Sequence, residues 1–120
     1  MKQFYLKTFV LFLLSMAWIE VAAYDCKIDG IYYYLRGDSA SVTYKKYYTE
    51  TNGPDYPEME FWDTDYSGSV VIPSSIKFNN KVYRVTRIGD HAFIGSYGLT
   101  SVTIPNSVKY ISDKAFYKCI

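Results

Sequence analysis

A nine-residue phrase occurs twice in this chain, as Val85-Thr-Arg-Ile-Gly-Asp-His-Ala-Phe93 and again, 23 residues later, as Val108-Lys-Tyr-Ile-Ser-Asp-Lys-Ala-Phe116. The identical positions are Val85/Val108, Ile88/Ile111, Asp90/Asp113, Ala92/Ala115 and Phe93/Phe116. What returns is mainly an apolar skeleton, while the residues between drift. A stacked solenoid repeats itself in this way, because each unit buries the same face against its neighbour and is free to vary the face it shows to water. A second echo relates Val70-Val-Ile-Pro-Ser-Ser-Ile76 to Val102-Thr-Ile-Pro-Asn-Ser-Val108 at an offset of 32. The difference of nine (32 − 23) falls near Asn79-Asn80. Two Asn ahead of Lys81-Val-Tyr-Arg-Val85 predict a tight turn leading into a strand, so the first unit is expected to be atypical and built around a hairpin.

The start of the chain reads as a secretory signal over residues 1–23. Lys2 and Lys7 give a positive start, residues 9–19 are apolar apart from Ser15, and Val21-Ala-Ala23 supplies small residues for cleavage. The run is shorter than the ~20 apolar residues of a membrane span and is followed at once by Glu20, so no membrane span is expected after cleavage. Removing residues 1–23 from 120 leaves 97, with 11 basic (13 − 2) and 11 acidic (12 − 1) side chains. Such a balance provides no field to draw the chain to nucleic acid or to an anionic membrane. Acidic residues are nevertheless concentrated: Glu50, Asp55, Glu58, Glu60, Asp63 and Asp65 lie between Lys46 and Lys77 with no basic residue among them. With Asn52-Gly53-Pro54 and Pro57, residues 49–66 read as an acidic surface loop.

The rest is strand-like. Residues 28–35 and 40–48 are rich in Ile, Tyr, Val and Thr and flank the turn cluster Arg36-Gly-Asp-Ser39, which predicts a hairpin. Strands are also expected over residues 69–72 and 81–87. Asp90 and Asp113, each ahead of Ala-Phe, suit the N-cap of a single helical or 3₁₀ turn. The expected fold is mostly β: an amino-terminal β-hairpin cap over residues 24–68, then solenoid units of 23 residues over residues 69–120.

Leu99-Thr-Ser-Val-Thr-Ile-Pro-Asn-Ser-Val108, followed by Ile111, Ala115-Phe116 and Cys119, resembles the repeat of the BspA-like leucine-rich-repeat surface proteins of Bacteroides-type bacteria. In that family a unit of about 23 residues runs from a leucine through a strand, Ile-Pro, a Ser-Val step and an Ile to an Ala-Phe turn ending near a Cys. Residues 24–35, with Asp29-Gly-Ile-Tyr-Tyr33, and the stretch from Asn80 to Ile88 are similar to the unit that precedes those repeats. Ser96 departs from the pattern, standing where the next unit has Cys119, and Gly95-Ser-Tyr-Gly98 replaces the usual Gly-Cys connection. The resemblance implies export to the cell surface or beyond, and adhesion to host or matrix proteins by a stack of strands. It implies no common catalytic activity, and no cofactor is expected.

Strand alternation places Val102 and Ile104 inward and Ser101 and Thr103 outward, with Ser69 and Val71 as the outward pair of the earlier unit. These four are the candidate recognition residues, set against the plainer reading that they are ordinary solvated strand positions. Among chemical candidates, His91 is the sole histidine; its repeat counterpart is Lys114, which marks a variable, exposed position, and nothing assembles a triad around it. Asp63-Thr-Asp65-Tyr-Ser67-Gly68 copies the first half of a calcium loop, but Ser74 stands where the bidentate Glu belongs, so a structural turn is expected and no metal site. Arg36-Gly37-Asp38 spells an integrin-type tripeptide and equally a plain glycine turn.

Cys26 belongs to the cap and Cys119 to the last repeat, with a layer between them. A bridge needs Cα atoms within about 7 Å, so no disulfide is expected. The repeats stop midway through a unit without a polar cap, which reads as truncation and exposes an edge suited to self-association. The functional expectation is therefore a secreted or surface-displayed, adhesin-like binding module. The alternative is a noncatalytic structural cap of a longer repeat protein.

Overall fold

The computed structural model describes residues 21–22, 24–50, 54–55 and 59–119. Of the signal segment expected over residues 1–23, only Val21 and Ala22 fall within the described residues. Eleven strands form among them: β1 (Val21–Ala22), β2 (Cys26–Ile28), β3 (Ile31–Arg36), β4 (Ser39–Thr43), β5 (Lys46–Glu50), β6 (Met59–Asp63), β7 (Gly68–Val71), β8 (Ser75–Phe78), β9 (Lys81–Ile88), β10 (Leu99–Thr103) and β11 (Tyr110–Ile111).

The two sequence offsets reappear as backbone registers. Parallel strands β9 and β11 pair Arg87 with Tyr110 and Ile88 with Ile111, the offset of 23. Parallel strands β7 and β10 pair Val70 with Val102, the offset of 32. One sheet runs in the order β11-β9-β4-β3-β2, with β8 added to β9, and a second joins β10 to β7. Between β8 and β9 the chain reverses at Asn79 and Asn80, both left-handed (φ 49° and 63°), which is the primed turn expected there. This hairpin accounts for the longer first offset.

Three expected elements differ. Residues 28–35 are not one strand: Asp29-Gly30, both at positive φ, turns β2 back on β3, because Asp-Gly satisfies the same primed turn in two residues. Residues 40–48 break after Thr43, with β4 in the large sheet and β5 pairing β1 and β6 in a separate one. The expected acidic loop over residues 49–66 is in part a β-hairpin, since β6 pairs antiparallel with β5 from Glu50–Met59 to Lys46–Asp63. Phe61 stacks on Tyr48 (centroids 5.2 Å apart) and Trp62 lies against Tyr47 (5.3 Å), so cross-strand aromatic pairs outweigh the loop-favouring charges.

The core is lined by Tyr33, Ala40, Val42, Val85, Ile88, Ala92 and Phe93, all without solvent exposure. Through it runs a column of rings: Tyr24 on Tyr32 (4.8 Å), Tyr32 on Tyr66 (5.8 Å), Tyr66 on Phe93 (4.6 Å), and Phe93 on Phe116 (5.1 Å, planes 2° apart). Each such pair contributes about 0.5–1.5 kcal/mol beyond the area it buries.

At one edge of the column the chain descends through stacked turns. Bonds of the i→i+3 kind link Gly89 to Ala92, His91 to Ile94 and Phe93 to Ser96, and recur from Ser112 to Ala115, Lys114 to Tyr117 and Phe116 to Cys119. The expected helical or 3₁₀ turn does not propagate, because His91 and Lys114 are both left-handed at φ 59°, and Gly95 and Lys118, four residues on, are left-handed too (φ 66° and 59°). Amides left free by this reversal bond to the next layer instead: Phe93 N–H donates to Ala115 C=O (2.8 Å) and Gly95 N–H to Tyr117 C=O (2.9 Å).

Candidate functional site

The four candidate residues are brought onto one face. In the β7–β10 pair, Ser69 stands opposite Ser101 and Val71 opposite Thr103, and all four are exposed. Alternation produces this, since Val70 and Val102 between them turn toward the core and are half-buried. Ser101 Oγ donates to Ser69 Oγ at 2.9 Å, and Val71 is 67% exposed, an apolar β-branched side chain set in water. Ile104, expected inward, is 38% exposed: it lies one residue beyond β10, where the strand's alternation no longer applies, and no described strand pairs with the free edge of β10.

The calcium-like segment is occupied by a cation of the protein's own. Lys45 Nζ lies 3.9 Å from the carboxylate of Asp63 and 3.7 Å from that of Asp65, and Asp63 followed by Asp65 raises the lysine pKa. Asp65 also accepts from Tyr32 OH (3.3 Å) and is itself left-handed at φ 61°, while Ser67 is exposed. The segment is thus a turn that delivers Tyr66 to the ring column. Among the described residues no cluster of three His, Cys, Asp or Glu side chains is placed to hold a metal.

His91 is not the exposed position that its pairing with Lys114 suggests. Its side chain is 12% exposed and lies flat against Trp62, ring centroids 4.0 Å apart and planes 9° apart, with Nδ1 3.1 Å from Asp90 Oδ2. A stacked partner from outside the repeat gives no periodic signal, so the sequence could not reveal it. At the other edge, Arg36-Gly37-Asp38 forms the β3–β4 hairpin tip, with Gly37 at φ 60°. Asp38 is held by Lys81 at 3.2 Å, and the same ammonium donates to Gly37 C=O (3.0 Å).

The cysteines are reduced and separate. Cys26 is buried, and burial followed by the neighbouring Asp25 pushes its thiol pKa up, away from the reactive thiolate. Cys119 is half-buried and its Sγ donates to Phe93 C=O at 2.7 Å. One layer up, Ser96 replaces it and its hydroxyl meets Thr64 Oγ1 at 2.7 Å.

Comparison with known proteins agrees with this architecture. Residues 63–120 match the BspA type leucine rich repeat region. A leucine-rich repeat protein from Bacteroides ovatus superposes with a TM-score of 0.59 at 28% identity, covering 80% of this chain and 21% of the other. A leucine rich cell surface protein from Faecalibacterium prausnitzii gives 0.57 at 26% identity over 78% of this chain and 21% of the other. A leucine-rich repeat protein from Bacteroides capillosus gives 0.57 at 26% identity over 78% of this chain and 58% of the other. The chain thus spans about a fifth of the first two relatives. No curated protein is significantly similar in sequence.

Proposed function

Over residues 63–120 the chain is a BspA-type leucine-rich-repeat protein, and from that premise we propose that it is an exported, noncatalytic binding module, adhesin-like, that contacts a host or matrix protein. The observation that carries this reading is the β7–β10 face, where two parallel strands in register present Ser69 with Ser101 and Val71 with Thr103 to solvent. A parallel stack makes such a face extensible, because each further strand adds another pair of outward side chains in the same rows. Export is supported by the signal-like residues 1–23 and by the cell-surface description of the Faecalibacterium relative. No helix among the described residues is long and apolar enough to cross a membrane. A noncatalytic role is supported by His91, which is packed flat under Trp62 rather than presented to a substrate.

The test is capture of matrix and host-surface proteins by the purified chain, beside Val71→Glu and Thr103→Glu. Both positions are exposed, so the variants should fold as the parent does. Loss of capture in both variants is the expected result; equal capture by all three would refute the assignment of this face. A second reading, a structural cap whose partners bind elsewhere in a longer array, is favoured by the small size of a two-strand patch beside the ~800 Å² per partner of a stable interface. It predicts capture by a version extended with further repeats and none by this chain.

A further inference from the structure

The outer face of the large sheet carries a second surface of different chemistry. Its strands β3, β4 and β9 floor a groove of about 630 Å³ whose lining includes Tyr34, Arg36, Ser39, Ser41, Arg87 and Asp90. Strand pairing fixes their order. Tyr34 stands opposite Ser41, Ser41 opposite Arg87, and Arg87 opposite Tyr110, so one row across four strands reads Tyr-Ser-Arg-Tyr. The neighbouring row is Arg36, Ser39 and Arg84.

Among the described residues no carboxylate lies within ion-pair distance of Arg36, Arg84 or Arg87. Arg87 instead lies over the Tyr110 ring, 5.2 Å from its centroid. Without a carboxylate partner these guanidinium forks can take an anion in two-pronged fashion. Two strand spacings of about 4.8 Å and a two-residue stagger of about 3.3 Å each set the Arg36 and Arg87 backbones about 12 Å apart, so both long side chains can reach one ligand. The single carboxylate in the lining is Asp90, which faces His91 at the opposite end of β4 from Arg36. The groove is therefore cationic at one end.

We propose that this groove binds an acidic saccharide, its carboxylate or sulfate groups held by Arg36 and Arg87 and its hydroxyls by Ser39 and Ser41. Tyr34, 50% exposed, flanks the row with aromatic surface on which a sugar ring can lie, while Tyr110 at the far end carries Arg87 on its ring. A peptide is disfavoured because an extended chain adds to a strand edge, and β3, β4 and β9 are paired on both sides. The site is separate from the β7–β10 face, so either can fail without the other.

The test is binding of the full chain, by calorimetry at low and at physiological salt, to four probes: a heparin hexasaccharide, an oligogalacturonate, maltohexaose and a short polyglutamate. Binding of either acidic saccharide, weakened by salt, is expected, and the tighter of the two identifies the acid group. The Arg36→Gln and Arg87→Gln double variant should lose roughly ten- to a hundredfold in affinity, two charge-assisted contacts being removed. Arg36→Gln alone, at an exposed hairpin tip, leaves the fold intact and should lose part of it. Lys118→Gln, outside the groove, should change nothing. Equal binding of maltohexaose, tighter binding of polyglutamate, absence of saccharide binding, or undiminished binding by the arginine variants would each overturn the proposal.

Discussion

The repeat stack and the β5–β6 hairpin are both made of paired strands, yet they are held in place by different means. In the stack, layer sits on layer through a shared register and a shared ring, Phe93 flat on Phe116, so that the same side chains do the same work at each level. The hairpin has no counterpart to stack on and docks through single contacts: Trp62 on His91, and Thr64, just past the strand, on Ser96. Comparing the two explains where the two copies of the repeat disagree. His91 becomes Lys114 and Ser96 becomes Cys119, and it is His91 and Ser96 of the upper copy that touch Trp62 and Thr64. A third disagreement, Gly89 against Ser112, has the same origin in the neighbouring strand β4: a Cβ at Gly89 would lie 2.9 Å from Val42 C=O, to which Gly89 N–H donates. At these three positions the divergence coincides with a contact made to a segment that is not repeated.

The largest effect should come from breaking the stack. Phe93→Ala removes a fully buried ring with aromatic neighbours on both sides and should cost about 3–5 kcal/mol in urea unfolding, a large share of what a domain this size possesses. Phe116→Ala, at a half-buried ring, should cost clearly less; equal losses would mean that the column is not graded by layer.

Alkaline pH should come next. Burial, as the leading cause, lifts the phenols of Tyr33 and Tyr66 well above their ordinary 10.0. Below pH 10 the folded and unfolded chains hold these protons alike. As pH rises past 10 the unfolded chain releases two protons that the folded chain keeps, so stability falls by up to about 1.4 kcal/mol per pH unit for each group. Tyr66 OH both donates to Thr43 C=O (2.8 Å) and accepts from Tyr32 N–H (3.0 Å), so Tyr66→Phe should weaken the alkaline slope while lowering stability at neutral pH. A melting temperature unchanged between pH 9 and about pH 11 would contradict the burial of these phenols.

Exchanging residues between the copies sharpens the comparison further. Gly89→Ser should cost about 1–3 kcal/mol through its clash with the β4 backbone. The reverse change, Ser112→Gly, should cost less than about 1 kcal/mol, that of glycine's extra freedom. Of similar size is His91→Lys: the left-handed backbone is one that Lys114 already tolerates, so the loss is that of the stack on Trp62 and of the imidazole's contact with Asp90, about 0.5–1.5 kcal/mol. Its signature is local, faster amide exchange in β6 with β9 and β11 unaffected; exchange accelerated uniformly would show that the hairpin is not docked through this pair.

Much of the stack was legible because a period is a statement about neighbours. The offsets of 23 and 32 predicted which backbones would pair, and the alternation around Val70 and Val102 predicted which side chains would share the outward face. Asp29-Gly30 also carried a readable signal, being as good a primed-turn pair as Asn79-Asn80, but it was masked by the run of strand-forming residues around it. The hairpin was not legible in the same way. Its acidic residues and prolines favour a loop, and only the pairing of Tyr48 with Phe61 and Tyr47 with Trp62 across the strands makes a sheet of it.

By itself, then, the order of residues determined that copies of one unit would lie on each other and that their Phe rings would meet, because burying the same apolar face at a constant spacing leaves one way to stack. Only the folded molecule decided what surrounds that stack. Trp62 covering His91, Lys45 standing between Asp63 and Asp65, and Arg36 and Arg87 meeting across β4 each join residues far apart in the chain, at spacings that no period records and that only three-dimensional packing brings within reach.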